Sequence, residues 1–412
     1  MKTFFKLSLG LIATFALMLF LTASPIFAAM LTIGSFALAF AAPMNAFMIL
    51  INPANLTWNG DEVKALAETI LIDIYENPAI EDTMTVHNNI VAKTQIAYLG
   101  LLSKITKADA GCSGSAMSKN IPMTQKYWNP VDLKSWLSIC YKDLEASFWI
   151  WGQANKFDRA DLIGDKSKVT QFIMERMSNA GLEDSIRIAW FGDTNIKDGS
   201  GSPGNLLTPG TDITDYNVLD GLWKQIYADD ILYSTQHVAI ANNSNATYAT
   251  QAFGTTDVTN KTVTNLFYNM IAAADPRLSD SKGQMLLVTR SIYQQYLREL
   301  GSYTAVEASF ELVQDGETGI TKKVLQFNGY PVIKMTLWDR YIAADYNDGT
   351  VTYQPHRAIL CTKESFALGV DAQAGINEFE LYYYQNAQTV NFRGMYRMDT
   401  KIVKDYMYVS AY

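Results

Sequence analysis

Apolar positions change their spacing several times along this chain, and each change marks an element. Between Lys6 and Asp61 no side chain carries a charge, and the stretch is almost continuously apolar. After Asn59-Gly60 the pattern becomes helical: Val63, Leu66, Ala67, Ile70, Leu71 and Ile74 form one stripe. Asn77-Pro78 ends that helix. A second helix is expected from about Glu81 to Ile105, and Ala108 to Asn120, rich in small and polar residues, reads as a loop. Met123 to Ile150 reads as extended structure with tryptophans interspersed. A long helix fits Lys166 to Trp190, with Val169, Phe172, Ile173, Met177, Ile186 and Trp190 mostly on one face. Gly181 weakens that helix and predicts a kink or break there.

Beyond the Gly/Ser/Pro run from Asp198 to Asn205, helices are expected at Val218 to Tyr227, Thr264 to Ala274 and Ser291 to Leu300. Between them, Val238 to Val263 is poor in charge and reads as a surface loop. From Tyr303 onward strands dominate: Glu307 to Leu312, Lys323 to Phe327, Pro331 to Met335, Ala358 to Cys361, Glu378 to Tyr384, and one long run from Thr389 to Tyr408. No internal repeat is visible. The class is α+β.

At 412 residues the chain can bury more than one core. Its formal net charge of −8 and its lack of a Lys/Arg cluster argue against gripping nucleic acid as the main task. Three distant cysteines, Cys112, Cys140 and Cys361, form neither a disulfide framework nor a metal-ligand spacing. Their odd number leans toward a reducing compartment. The N-terminus leans the other way. Lys2 and Lys6 precede a long apolar run from Leu7 to Ala23 and a small-residue site at Thr22-Ala23-Ser24, the pattern of a secretory signal. Met30 to Ile51 is a second apolar stretch, interrupted by Pro43 and Asn45. Taken alone, this block predicts a signal or anchor, with an apolar arm of a cytoplasmic protein as the other reading.

Candidate chemistry changes little. Gly199-Ser-Gly201-Ser-Pro-Gly204 matches the dinucleotide fingerprint in letters, but a helix precedes it and Leu-Leu-Thr-Pro-Gly-Thr follows. It reads as a turn. Asp345-Tyr-Asn347-Asp348-Gly349 has its glycine one place early for a calcium loop, so a turn is expected there too. His87, His237 and His356 are isolated and read as surface or satisfied core residues. No acid, base or nucleophile constellation appears, so neither a catalytic residue, a cofactor nor a metal is assigned.

From Ile121 on, the order of landmarks resembles the major capsid proteins of tailed bacteriophages, which share the Hong Kong 97 fold. The likeness runs through Met123 to Gly152, with Trp128, for the return of an extended loop, and Val169 to Asp193 for a spine helix. It continues with Gly199 to Leu207, Leu219 to Ala228 and Met285 to Leu300, then the Gly329-Tyr330-Pro331-Val332 strand, Arg357 to Asp371, and Val390 to Tyr412. Gly329 and Pro331 also have a local account, as turn residues leading into a buried strand.

The resemblance implies an apolar leader or arm over 1–60, arm helices over 61–105 and an extended loop region over 106–160. A peripheral domain with the spine helix would span 161–215, an axial domain 216–370, and closing peripheral strands 371–412. It implies no enzyme, but a subunit that assembles with itself into hexamers and pentamers of an icosahedral head around double-stranded DNA, without sequence-specific contact. Portal, scaffolding and decoration proteins are further implied partners. Lys119 and Lys126 lie where some relatives carry a crosslinking lysine, though no crosslink is expected from the sequence. The uncharged block departs from the charged scaffolding segment common in that family. It suggests transient membrane contact through residues 7–51, and it keeps an exported envelope or surface protein as the alternative.

Overall fold

The computed structural model describes residues 58–99, 123–157, 166–198, 206–208, 210–301, 310–314, 321–371 and 379–412. The leader, the 108–120 segment, Lys119 and the glycines at 199, 201 and 204 lie outside them. The chain divides into two compact units, one of Met1–Asn55 with Lys142–Lys166, the other of Leu56–Tyr141 with Ser167–Tyr412.

In the first unit the described part is essentially helix α2, Tyr141–Ala154, from its second residue on. Extended structure was expected through Ile150, but the strand stops at Cys140. The reason is spacing: Leu144, Phe148 and Trp151 recur at four and three residues, a helical stripe that is buried in the structure.

The second unit holds two large sheets. Helix α1, Gly60–Tyr75, starts on a reciprocal cap: Asn59 Oδ1 accepts from Glu62 N at 2.8 Å, and Asn59 N donates to Glu62 Oε2 at 3.0 Å. It packs on helix α3, Lys166–Phe191. Ser178 Oγ donates to Asp73 at 3.2 Å, and Trp58 Nε1 to Thr170 Oγ1 at 3.0 Å. Helix α3 runs continuously through Gly181, contrary to the expected break. A Cβ at that position would lie 2.5 Å from Ile74 Cδ1, so the glycine makes room for α1.

The expected helix from Glu81 is replaced by strands β1, Thr85–His87, and β2, Gln95–Leu99. Both are held by distant partners that override local preference. Strand β2 forms a two-stranded antiparallel hairpin with β3, Met123–Tyr127. Next come β4, Val131–Cys140, the two-residue strands β5 and β6 (Lys197–Asp198 and Leu206–Leu207), and helix α4, Leu222–Leu232.

The five-stranded sheet is organised by β15, Thr389–Ile402. Along one side β15 pairs with all ten residues of β4. Along the other it pairs first with β14, Glu380–Tyr384, and then with β13, Phe366–Val370, beside which β1 lies parallel. The single run expected from Thr389 to Tyr408 is two strands. After Ile402 the chain leaves this sheet, and β16, Tyr408–Ala411, enters the other.

The seven-stranded sheet has the order β7, β16, β12, β8, β11, β10, β9. Its other strands are His237–Val238 (β7), Gln284–Val288 (β8), Phe310–Gln314 (β9), Thr321–Phe327 (β10), Tyr330–Lys334 (β11) and Ala358–Thr362 (β12). Helices α5, Thr262–Ala273, and α6, Arg290–Gly301, pack into its core with Phe267, Met270, Ile292 and Tyr296. The Glu299 carboxylate of α6 is buried and caps α5, accepting from Val263 N at 2.9 Å, Thr264 N at 2.8 Å and Thr264 Oγ1 at 2.7 Å. Helix α7, Thr336–Asp345, stands where only strands were expected. The 238–263 segment also holds short helices at Tyr248–Gln251 and Thr255–Asn260 rather than an open loop.

Candidate assembly surfaces

The residues singled out in the sequence occupy three different places, and none of them forms a polar pocket. Gly329 to Val332 is a hairpin corner. Asn328 and Gly329 have φ of 51° and 86°, and Phe327 pairs with Tyr330 across them, a two-residue turn of the kind that asparagine and glycine favour. Val332 then enters the sheet buried beside β8. These four residues are structural.

Trp128 is buried at the foot of the β2–β3 hairpin. Its N–H donates to Thr94 O at 2.8 Å, and its ring lies 5.7 Å from that of His87. Gly369 of β13 faces it closely: a Cβ there would meet the indole at 2.8 Å. Lys126, at the end of the hairpin, is tied to its own chain, donating to Ile402 O at 2.6 Å and pairing with Asp405.

The other two histidines are structural as well. His356 is buried: Nε2 donates to Gln251 O at 2.8 Å, and Nδ1 accepts from Ser291 Oγ at 2.7 Å, with Phe253 stacked on the ring at 4.2 Å. Burial pushes its pKa down to about 4. Burial also lowers the pKa of His237, whose Nδ1 lies 3.6 Å from Asp230. Burial raises the Asp230 carboxyl to about 6, against the opposing hydrogen bond from Ser410. Cys361 is buried and Cys140 exposed, both as free thiols. Among the described residues no cluster of ligating side chains could hold a metal ion, and no helix is long and apolar enough to cross a membrane.

What the sequence did not reveal is an aromatic hub. Trp190 at the end of α3, Trp223 of α4 and Trp338 of α7 converge, with Trp338 centred 4.6 Å from Trp190 and 5.1 Å from Trp223. Phe366 of β13 joins at 5.6 Å from Trp190. Arg357 lies fully buried beside the hub, its guanidinium 5.0 Å from the Trp223 ring centre and 5.3 Å from that of Phe191. Its Nε donates to Gln354 O at 2.9 Å. Close backbone approach locks the same region: Gly221 N donates to Gly192 O at 2.8 Å. No periodicity points to such a hub, because its members come from separate elements.

Several apolar side chains are left uncovered. Ile231 and Leu232, at the end of α4, are 83% and 75% exposed, and Trp136 on β4 is 66% exposed. A cleft of about 690 Å³ opens between α1, α3 and the five-stranded sheet. Ile70 and Ile74, Met177, Leu137 and Phe392 are among its lining residues, with Asp184 at its wall. Burial raises the Asp184 carboxyl against the opposing pull of Arg187. Such a surface offers apolar contact area.

No protein-family model and no curated protein matches the chain. Among solved structures it is similar to a satellite phage P4 procapsid chain, at 9% identity and a TM-score of 0.44, covering 84% of this chain and 98% of that one. It is similar to the capsid of cyanophage P-SCSP1u at 13% identity and a TM-score of 0.42, covering 81% and 86%. A virus-like particle from Pyrococcus furiosus gives 10% identity and a TM-score of 0.38, covering 84% and 98%. With TM-scores under 0.5, these likenesses carry no argument about what the chain does.

Proposed function

We propose that this chain is the major capsid subunit of a tailed-phage head, assembling with itself into hexamers and pentamers of an icosahedral shell. One observation carries the proposal: the order of elements. A hairpin outside both large sheets is followed by a 26-residue helix beside the five-stranded sheet. A separate seven-stranded α/β core comes next, and the chain then returns to the five-stranded sheet through β13, β14 and β15 before β16 ends it in the seven-stranded sheet. That is the order implied by the landmarks from Met123 to Tyr412.

The physical features agree with the role. A shell subunit keeps apolar area in reserve for its copies, as Ile231, Leu232 and Trp136 do. An acidic chain encloses DNA without gripping it. Within this reading, the spine helix and the five-stranded sheet are the peripheral domain and the seven-stranded sheet the axial one, so Phe366–Val370 is peripheral and Tyr408–Ala411 axial, across the expected bounds of 216–370 and 371–412; the head assembles in the host cytoplasm. Portal, scaffolding and decoration proteins are its further partners, and residues 7–51 give early assembly a transient membrane contact.

Expressing the full chain and imaging it by negative-stain electron microscopy tests the proposal. Closed particles of uniform diameter are expected. Processed monomers recovered from the periplasm, without particles, would overturn it in favour of an exported envelope protein. Intact mass of subunits from native particles then settles the leader, since retention of Met1 excludes cleavage.

A further inference from the structure

Strands β4 and β14 flank the same stretch of β15 from opposite sides. Thr389 to Arg393 pairs with Cys140 to Trp136 on one side and with Tyr384 to Glu380 on the other. Among the described residues, neither outer edge meets a further strand. Each edge therefore presents a row of backbone donors and acceptors, a template for another strand. Proteins usually blunt such edges with charge or proline, yet Ser135 to Cys140 of β4 holds neither. By register, Trp136, Ser138 and Cys140 share one sheet face with Tyr382 and Tyr384, and all five are exposed. On that face β4 carries an exposed Lys134, its neighbour Asp132 being taken up by Arg397, and β14 carries an exposed Glu380 that lies 3.6 Å from Arg393 of its own chain.

We infer that β4 of one copy pairs in parallel with β14 of a second copy, Cys140 of one opposite Tyr384 of the other, which puts Trp136 opposite Glu380 and Lys134 on the diagonal to that carboxylate. The two edges differ and lie on opposite sides of β15, so every copy gives one edge and receives the other. Such a contact runs on from copy to copy rather than stopping at a dimer, and forms a ring where the rotation between copies closes. The inference rests on the shell-subunit proposal and names the strands by which copies join.

A thiol pair tests it in the full chain. Cys140 and Tyr384 both pair with Thr389, so within one chain they are two strand spacings apart, about 9.6 Å. That exceeds the roughly 7 Å limit between Cα atoms for a disulfide. A bond between Cys140 and a thiol introduced by Tyr384→Cys must therefore join two chains. Oxidised particles of the Tyr384→Cys variant should give a ladder of dimer, trimer and larger species on a non-reducing gel, and added Cys140→Ser should abolish it. Particles that form without a ladder would overturn the inference. So would unaltered particles whose dimers depend on Cys140 alone, which would mean β4 pairing with β4.

A charge exchange gives a second readout. Lys134→Glu should lower particle yield at least tenfold while leaving the subunit's unfolding midpoint unchanged, and added Glu380→Lys should restore it. An unchanged yield in the single variant would sink the proposal. If the unaltered chain forms no particles at all, the shell-subunit proposal fails first and this one falls with it.

Discussion

The two sheets of this protein solve opposite problems. In the seven-stranded sheet, the neighbouring strands β12 and β16 are buried along their whole length, and Leu286 to Val288 of β8, on the other side of β12, is fully buried. In the five-stranded sheet the β13 end is equally closed, but from Trp136 to Cys140 and from Tyr382 to Tyr384 side chains stand in the open. Burial supplies the folding free energy, and the open end contributes little to it. The difference teaches that stability and assembly are assigned to different residues here, so substitutions should separate them.

The sharpest separation is between two tryptophans. Trp338→Ala empties the hub and should cost about 4 kcal/mol of subunit stability, read as a lower midpoint in urea. Trp136→Ala at the open end should stay within about 0.5 kcal/mol by the same measurement. Equal losses would break the comparison. The next largest effect lies at the backbone contact beside the hub. A Cβ on Gly192 would fall 2.5 Å from Leu219 O and 2.7 Å from Ile188 O, atoms that cannot yield singly. Gly192→Ala should therefore cost about 3 kcal/mol, measured in the same titration.

A smaller effect is expected from pH. His356 is held neutral, with its folded pKa pushed down to about 4 from an ordinary 6.5. Its contribution is fully present above about pH 6.5 and is lost as pH falls through the folded value near 4. The unfolding midpoint of the unaltered chain should accordingly drop between pH 6.5 and 4 more steeply than that of His356→Gln. Parallel curves would show that the ring is not linked to folding.

The smallest effect is expected at Gly181. Alanine gains about 1 kcal/mol of helix propensity, which offsets the shift of the flexible Ile74 terminus, so the net change should stay within about 1 kcal/mol of zero. A loss of several kcal/mol would show that α1 cannot move on α3.

Much of the local structure was legible in the chain. The stripe from Val63 to Ile74 after Asn59-Gly60 gave α1, the long stripe from Val169 to Trp190 gave α3, and Gly329 marked the hairpin turn, though Asn328 rather than Pro331 is its other central residue. Where the pattern misled, a distant partner had intervened. Thr85 to His87 is a strand because β13 lies beside it, and Gly181 sits in an unbroken helix because Ile74 needs the space. Among the landmark residues, Gly329 stands exposed at a hairpin corner that leads to a buried Val332, Trp128 is buried, and Lys126 is occupied within its own chain. The exposed strand edges had no sequence mark, since Trp136 and Trp338 look alike until their neighbours are known.

By itself, the sequence determined the elements whose signals are local: periodic helices, capped starts, tight turns, and the order in which they follow. Tertiary structure alone decided which apolar residues meet and which are left over. A side chain's spacing along the chain is fixed by neighbours a few residues away, whereas its burial depends on segments hundreds of residues distant. Arg357 among its aromatic rings and Trp136 in the open are two outcomes of that one rule.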